Sequence, residues 1–210
     1  MLRSWLILFL CASFCSCIRD NKIDTVEKSL IWPLKKGNTW VYRGISGYAD
    51  GGSNDTTSLV LEADSSMYVD GNEFMSLKGD YEHWYRSAKA EVWMSNTDGS
   101  QVRPIARNTG SSVVISEETG TFNYFMGAAT FTGTLTRTTD PSIIAIRDYI
   151  CTSTIEEYKN ESGTVVQKRI VYYSSNKGPI CFKYYCNRES PGSGDIYQAL
   201  VYTIEDITLL

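Results

Sequence analysis

A single histidine, His83, stands in a chain of 210 residues. A zinc site built on several histidines is therefore excluded, and a Ser-His-Asp arrangement has one possible base. No Gly-x-Ser-x-Gly elbow, Gly-rich phosphate loop, EF-hand loop or Cys-x-x-Cys knuckle occurs, so no cofactor or metal is implied. Charge of one sign is also lacking: 20 Lys and Arg stand among 24 Asp and Glu, giving a net charge of −4. Without a basic stripe, nucleic acid is not expected as a partner. After residue 17, no apolar run reaches the ~20 residues that cross a bilayer as a helix. Only Cys151, Cys181 and Cys186 follow Cys17. On one strand Cys181 and Cys186 would face opposite ways, ~17 Å apart. In a meander, Cys151 and Cys181 would lie two strands apart, ~9.5 Å, which exceeds disulfide reach. The three are expected to be mostly buried free thiols.

What the chain does have begins at its start. Arg3 precedes an apolar run, Trp5-Leu6-Ile7-Leu8-Phe9-Leu10, which continues through Cys11, Ala12 and Phe14. At about ten residues it suits the h-region of a secretory signal. Phe14-Cys15-Ser16-Cys17 then places a small residue directly before a cysteine, and this resembles the lipobox of bacterial lipoproteins. The resemblance implies cleavage before Cys17, lipidation of its thiol and attachment to a membrane. Ile18 at the next position resembles outer-membrane or cell-surface delivery, with a secreted soluble protein as the alternative. The expected organisation is a signal peptide (1–16), a lipid-attached tether (17–30) and one domain (31–210).

The domain reads as all-β. Short β-rich runs alternate with turn signals, and no stretch has a convincing helical period. Expected strands are Thr57–Ala63, Glu73–Lys78, Glu82–Arg86, Glu91–Ser95, Val113–Ser116, Thr121–Met126, Ala129–Thr138, Ile143–Tyr158, Thr164–Tyr173, Ile180–Cys186 and Ile196–Ile204. Asp70-Gly71 is the strongest hairpin signal, and 189–195 reads as a flexible loop. The pattern predicts an antiparallel meander forming a curved sheet, an open barrel or a sandwich. Pro33-Leu34-Lys35-Lys36-Gly37-Asn38-Thr39-Trp40-Val41-Tyr42, echoed by Val171 to Ile180, resembles the opening of a group of uncharacterised bacterial lipoproteins. That resemblance implies a β-sheet lipoprotein, with an open-barrel-like sheet similar to lipoprotein-localisation factors, and brings no catalytic residues.

The candidate chemistry is modest. His83 shares a strand face with Tyr81 and Tyr85, which reads as a surface stripe. Glu117-Glu118 and Glu156-Glu157 are neighbours that point to opposite faces, so neither is a natural two-carboxylate site, and each reads as a solvated edge. Thr130, Thr132, Thr134, Thr136 and Thr138 alternate with Phe131, Gly133, Leu135 and Arg137, which predicts threonines to water and the other set inward. Trp84, Trp93, Tyr172 and Tyr184 are the candidate ligand-binding aromatics, able to stack on a sugar or line an apolar pocket. The expectation is a non-enzymatic lipoprotein with a binding or envelope-structural role. Its alternatives are a carrier or chaperone for a hydrophobic acyl or lipoprotein ligand, and a sugar-binding module. Partners would be the membrane and a hydrophobic small molecule, glycan or envelope protein.

Overall fold

Turn chemistry and alternation fold this chain into one antiparallel sheet of twelve strands, nearly closed into a barrel. The computed structural model describes residues 31–46, 55–125, 129–186 and 197–210. The strands are β1 (Thr39–Ser46), β2 (Asp55–Val69), β3 (Asn72–Lys78), β4 (Asp80–Ala88), β5 (Glu91–Asn96) and β6 (Arg103–Arg107). They continue as β7 (Val114–Asn123), β8 (Thr130–Ile146), β9 (Tyr149–Asn160), β10 (Val165–Ser174), β11 (Gly178–Cys186) and β12 (Tyr197–Thr208). Spatial order is β6-β5-β4-β3-β2-β1-β12-β11-β10-β9-β8-β7. Every pairing but one joins consecutive strands. The exception, β1 with β12, is the non-local contact that turns two meanders into a single sheet.

The edges β6 and β7 face each other without a backbone ladder. Arg103 Nε lies 3.1 Å from Glu118 Oε1 across that seam. Thr139 ties down the connection between the two edges, accepting from Val113 N at 2.9 Å and donating its own N–H to Val113 O. Side chains therefore bring together edges that would otherwise invite a foreign strand.

Local sequence explains the turns. Asp70 (φ 50°) and Gly71 (φ 73°) both take the positive φ that a type I′ hairpin requires, and Val69 pairs with Asn72 as expected. Three strand expectations need correction. The run expected at Ile143–Tyr158 is two strands, β8 and β9, reversing at Arg147-Asp148 with Arg147 in the left-handed region (φ 50°). Pro141 does not end β8, because it lies where the register with β9 shifts, between Asp140 and Ile144. Val113–Ser116 and Thr121–Met126 belong largely to one strand, β7, in which Glu118 is held to Arg137 and Gly120 faces Gly133. β6 is a strand where none was expected; it carries Pro104, which a sheet edge tolerates.

The threonine ladder behaves as its alternation predicts. Leu135 and Arg137 are 2% exposed, while Thr130 and Thr132 are exposed and Thr134, Thr136 and Thr138 half-buried. Cys151, Cys181 and Cys186 are all buried and none forms a disulfide. Burial raises the Cys151 thiol to about 11 and pushes Cys181 up as well. The expected signal peptide (1–16), the expected tether (17–30) with Cys17, and the expected 189–195 loop lie outside the described residues.

Candidate functional site

The two sequence stretches that carried the second resemblance meet in space and close one end of the barrel. Gly37 (φ 87°) lets the chain turn sharply and donate to Ala63 O at 2.8 Å. Asn38, 2% exposed, then staples three segments: its Nδ2 donates to Pro33 O, its Oδ1 accepts from Leu210 N, and its backbone O accepts from Ala63 N. Trp40 Nε1 donates to Lys177 O at 2.6 Å, and Tyr42 Oη donates to Pro179 O at 2.8 Å. Trp32 sits edge-on to Trp40 (centroids 5.7 Å) and against Tyr85 (5.3 Å), with its ring over Gly178, where a Cβ would collide with the indole. The segment 31–38 is thus a plug, with Trp32 as its inner face.

Above this plug lies a cavity of about 600 Å³, within the ~300–1,000 Å³ range of small-molecule sites. It extends from Trp32 to Gly79, Phe125 and Leu200, which belong to the opposite end of the barrel. Leu59, Leu61, Leu77 and Ile105 form one wall; Val171, Tyr173, Phe182, Tyr184 and Tyr202 form the other. Gln167, fully buried, holds Phe125 in place by accepting from its N–H (2.9 Å) and donating to Asn123 O (3.0 Å). Two charged residues also reach the lining, Arg169 and Asp80. Asp80 accepts from Tyr85 Oη at 2.5 Å and faces His83 Nδ1 at 3.3 Å. Burial, with Asp80 beside it, pushes the Tyr85 hydroxyl well above its ordinary range.

Arg169 ends a row of alternating charges across five strands. Arg103 on β6 meets Glu118 on β7; Glu118 meets Arg137 on β8; Arg137 Nε donates to Glu156 Oε1 on β9 at 2.9 Å. Arg169 on β10 then donates through Nε (2.6 Å) and Nη2 (2.9 Å) to the same carboxylate. Register dictates the inner part of the row, because Glu156 stands directly opposite Arg137 on one side and Arg169 on the other. Burial opposes ionisation of Glu156, which is 2% exposed, but the flanking Arg169 and Arg137 outweigh it and hold the carboxyl at about 2.

This row corrects the reading of both acidic pairs as solvated edges. Neighbouring residues do point to opposite faces, but one member of each pair turns inward, Glu118 and Glu156, and Glu117 is left exposed. A signal was present: alternation had already turned Arg137 inward, and a buried arginine needs a buried acid.

Of the four aromatics singled out in the sequence, Tyr184 alone lines the cavity. Trp84 and Trp93 are half-buried on the face away from it, where Trp93 Nε1 donates to Glu91 at 3.1 Å. Neither is exposed, so they make no open sugar-stacking row. Tyr172 lies opposite Cys181 with the Lys183 ammonium 5.2 Å above its ring. The expected surface stripe at His83 is corrected too, since Tyr85 is 8% exposed and packs on Trp32. Trp32, Tyr173, Phe182 and Tyr202 were missed as cavity residues. Among the described residues, no cluster of three or more His, Cys, Asp or Glu could hold a metal ion.

These features define the class: a single-sheet, plugged open β-barrel with an internal aromatic cavity. Comparison with solved structures agrees on the fold. The chain is similar to an exported-protein candidate with a YmcC-like fold from Bacteroides fragilis, at 12% identity and a TM-score of 0.50, covering 86% of this chain and 100% of that one. It also aligns with a lipoprotein candidate from Parabacteroides distasonis, at 8% identity and a TM-score of 0.49, covering 86% and 99%. No protein-family model and no curated protein matches the chain.

Proposed function

We propose that this protein is a lipid-anchored protein of the bacterial cell envelope whose barrel binds one apolar or amphiphilic small molecule without catalysing a reaction on it. The observation that carries the reading is the cavity of about 600 Å³ between Trp32, Tyr173, Phe182, Tyr184 and Tyr202. Close packing normally fills a protein interior, and voids larger than a water molecule are few. A void of this size, walled by rings and leucines, favours an apolar guest over a purely structural role. The ion row offers no general acid or base, because its carboxylates are tied to arginines on every side. Anchoring rests on Ser16-Cys17 after the apolar leader, and the B. fragilis neighbour, itself an exported-protein candidate, is in keeping with that leader. Ile18 favours the outer membrane or cell surface over the inner membrane.

Native mass spectrometry of the mature chain carrying Cys17→Ser, handled free of detergent, tests the binding. The expected result is a co-purified mass, or stoichiometric uptake of an added amphiphile. A bare protein mass that persists with every amphiphile offered overturns the reading. Detergent-phase partitioning tests the anchor: the wild type should enter the detergent phase and Cys17→Ser should remain aqueous. A wild type that stays aqueous identifies a secreted soluble protein instead.

A further inference from the structure

We propose that the occupant of the cavity is an amphiphile with a singly charged anionic head, a long-chain carboxylate in type, and that Arg169 receives that head. This rests on the binding reading above and specifies the ligand class.

The first argument is the count of charges in the row. Three arginines, Arg103, Arg137 and Arg169, share two carboxylates, Glu118 and Glu156, so the row holds one more cation than anion. Arg137 is 3% exposed at its side chain and lies between both carboxylates. Arg169, at the other end from the seam, has Glu156 alone. The second argument is geometric. Arg169 spends Nε and Nη2 on Glu156, and its Nη1 has no hydrogen-bond partner among the described residues. Its side chain keeps 27% of its surface accessible although it stands deep within the barrel, since the surface it shows belongs to the cavity. A guanidinium there still has donors for a carboxylate and loses little entropy on using them, because Glu156 already fixes its plane.

The neighbouring chemistry sets the rest of the ligand. Tyr184 stands directly opposite Arg169 in the ladder, and Tyr173 and Phe182 continue the aromatic wall toward Trp32. Leu59, Leu61 and Leu77 face them across the cavity. An apolar chain fits between those walls. Asp80 is the single acid in the lining. It accepts from Tyr85 Oη and faces His83 Nδ1, and as a carboxylate in the lining it disfavours a second negative group on the ligand.

Isothermal titration of the mature Cys17→Ser chain with three probes of one tail length, dodecanoate, dodecanol and dodecyltrimethylammonium, tests this. Dodecanoate should bind about tenfold or more tightly than dodecanol, the advantage expected of a charge-assisted pair, and the ammonium should bind worst. In Arg169→Gln, the advantage of dodecanoate over dodecanol should be lost. The wild-type comparison needs no variant, so a misfolded Arg169→Gln does not spare the proposal. Equal binding of dodecanoate and dodecanol overturns the assignment of the head group and leaves the cavity reading standing. Preference for the ammonium makes Asp80 the anchor and overturns it as well. Binding of none of the three removes the cavity reading itself.

Discussion

Strands β2–β6 and β7–β10 hang on either side of the β1–β12–β11 centre, and their inward faces share little chemistry. On the first wing the interior is Leu61, Ala63, Met75, Leu77, Val92, Met94 and Ile105, all under 9% exposed. On the second it is Glu118, Arg137, Glu156, Arg169 and Gln167, with a small aromatic cluster of Phe122, Phe131 and Tyr158 against Leu135 and Val166. Apolar burial is non-directional, so the first wing holds its inward face mainly by area and volume, the Asp80–Tyr85 hydrogen bond aside. Ion pairs between cross-strand partners are directional: a one-residue slip of β9 would turn Glu156 outward and leave Arg137 and Arg169 facing nothing. One wing is thus stabilised mainly by area, the other by register. The cavity borders both, taking Leu59, Leu61, Leu77 and Ile105 from the first wing and Arg169, Val171 and Tyr173 from the second.

The contrast can be broken most severely at Glu156. Glu156→Ala leaves two arginines without their shared partner and should cost about 3–5 kcal/mol, read as a fall in the urea midpoint. Replacing Arg137 and Glu156 with leucine and Arg169 with methionine together should cost far less, since a buried ion triad is often no more stabilising than well-packed apolar residues. A triple variant as unstable as Glu156→Ala would show that the charges themselves hold the wing.

Acid acts on the same carboxylate. The Glu156 carboxyl is depressed from 4.5 to about 2, so its contribution is complete above pH 4.5 and is lost as the pH falls toward 2. Folding should weaken by roughly 3 kcal/mol across that window, and Glu156→Gln should remove this part of the pH dependence. An unchanged acid slope in Glu156→Gln would place the sensitivity elsewhere.

On the apolar wing, Leu77→Ala should cost about 2 kcal/mol, the low end for a buried leucine, because its side chain already borders a cavity. It should leave the acid slope as it is. Arg103→Ala, which removes the partly exposed pair across the seam, should cost no more than about 1 kcal/mol. Its clearer effect should be faster amide exchange in β6 and β7, the edges it joins.

The same two wings divide what the sequence could reveal. Features with a local cause were legible: the Asp70-Gly71 hairpin from its φ requirement, the Thr130–Thr138 face from strict alternation, the buried thiols from their spacing. Where the cause is distant, reading failed. Arg147-Asp148 lacks glycine and asparagine, so the β8–β9 reversal left no mark. Glu156 looked like any acid in an exposed pair, because its two arginines lie 19 and 13 residues away on flanking strands. The cavity was hidden for a further reason. Tyr172-Tyr173 and Tyr184-Tyr185 place rings on both faces of their strands, and which ring meets empty space depends on the β1–β12 pairing that curls the sheet.

The plug at residues 31–38 also fixes a direction. The described chain enters beside Trp32, at the end of the barrel where Lys177 and Pro179 receive Trp40 and Tyr42. In the lipid-anchored reading, a leash from Cys17 therefore attaches to the base of the cup, while Gly79, Phe125 and Leu200 stand nearer its rim. A ligand entering at that rim would reach Trp32 last.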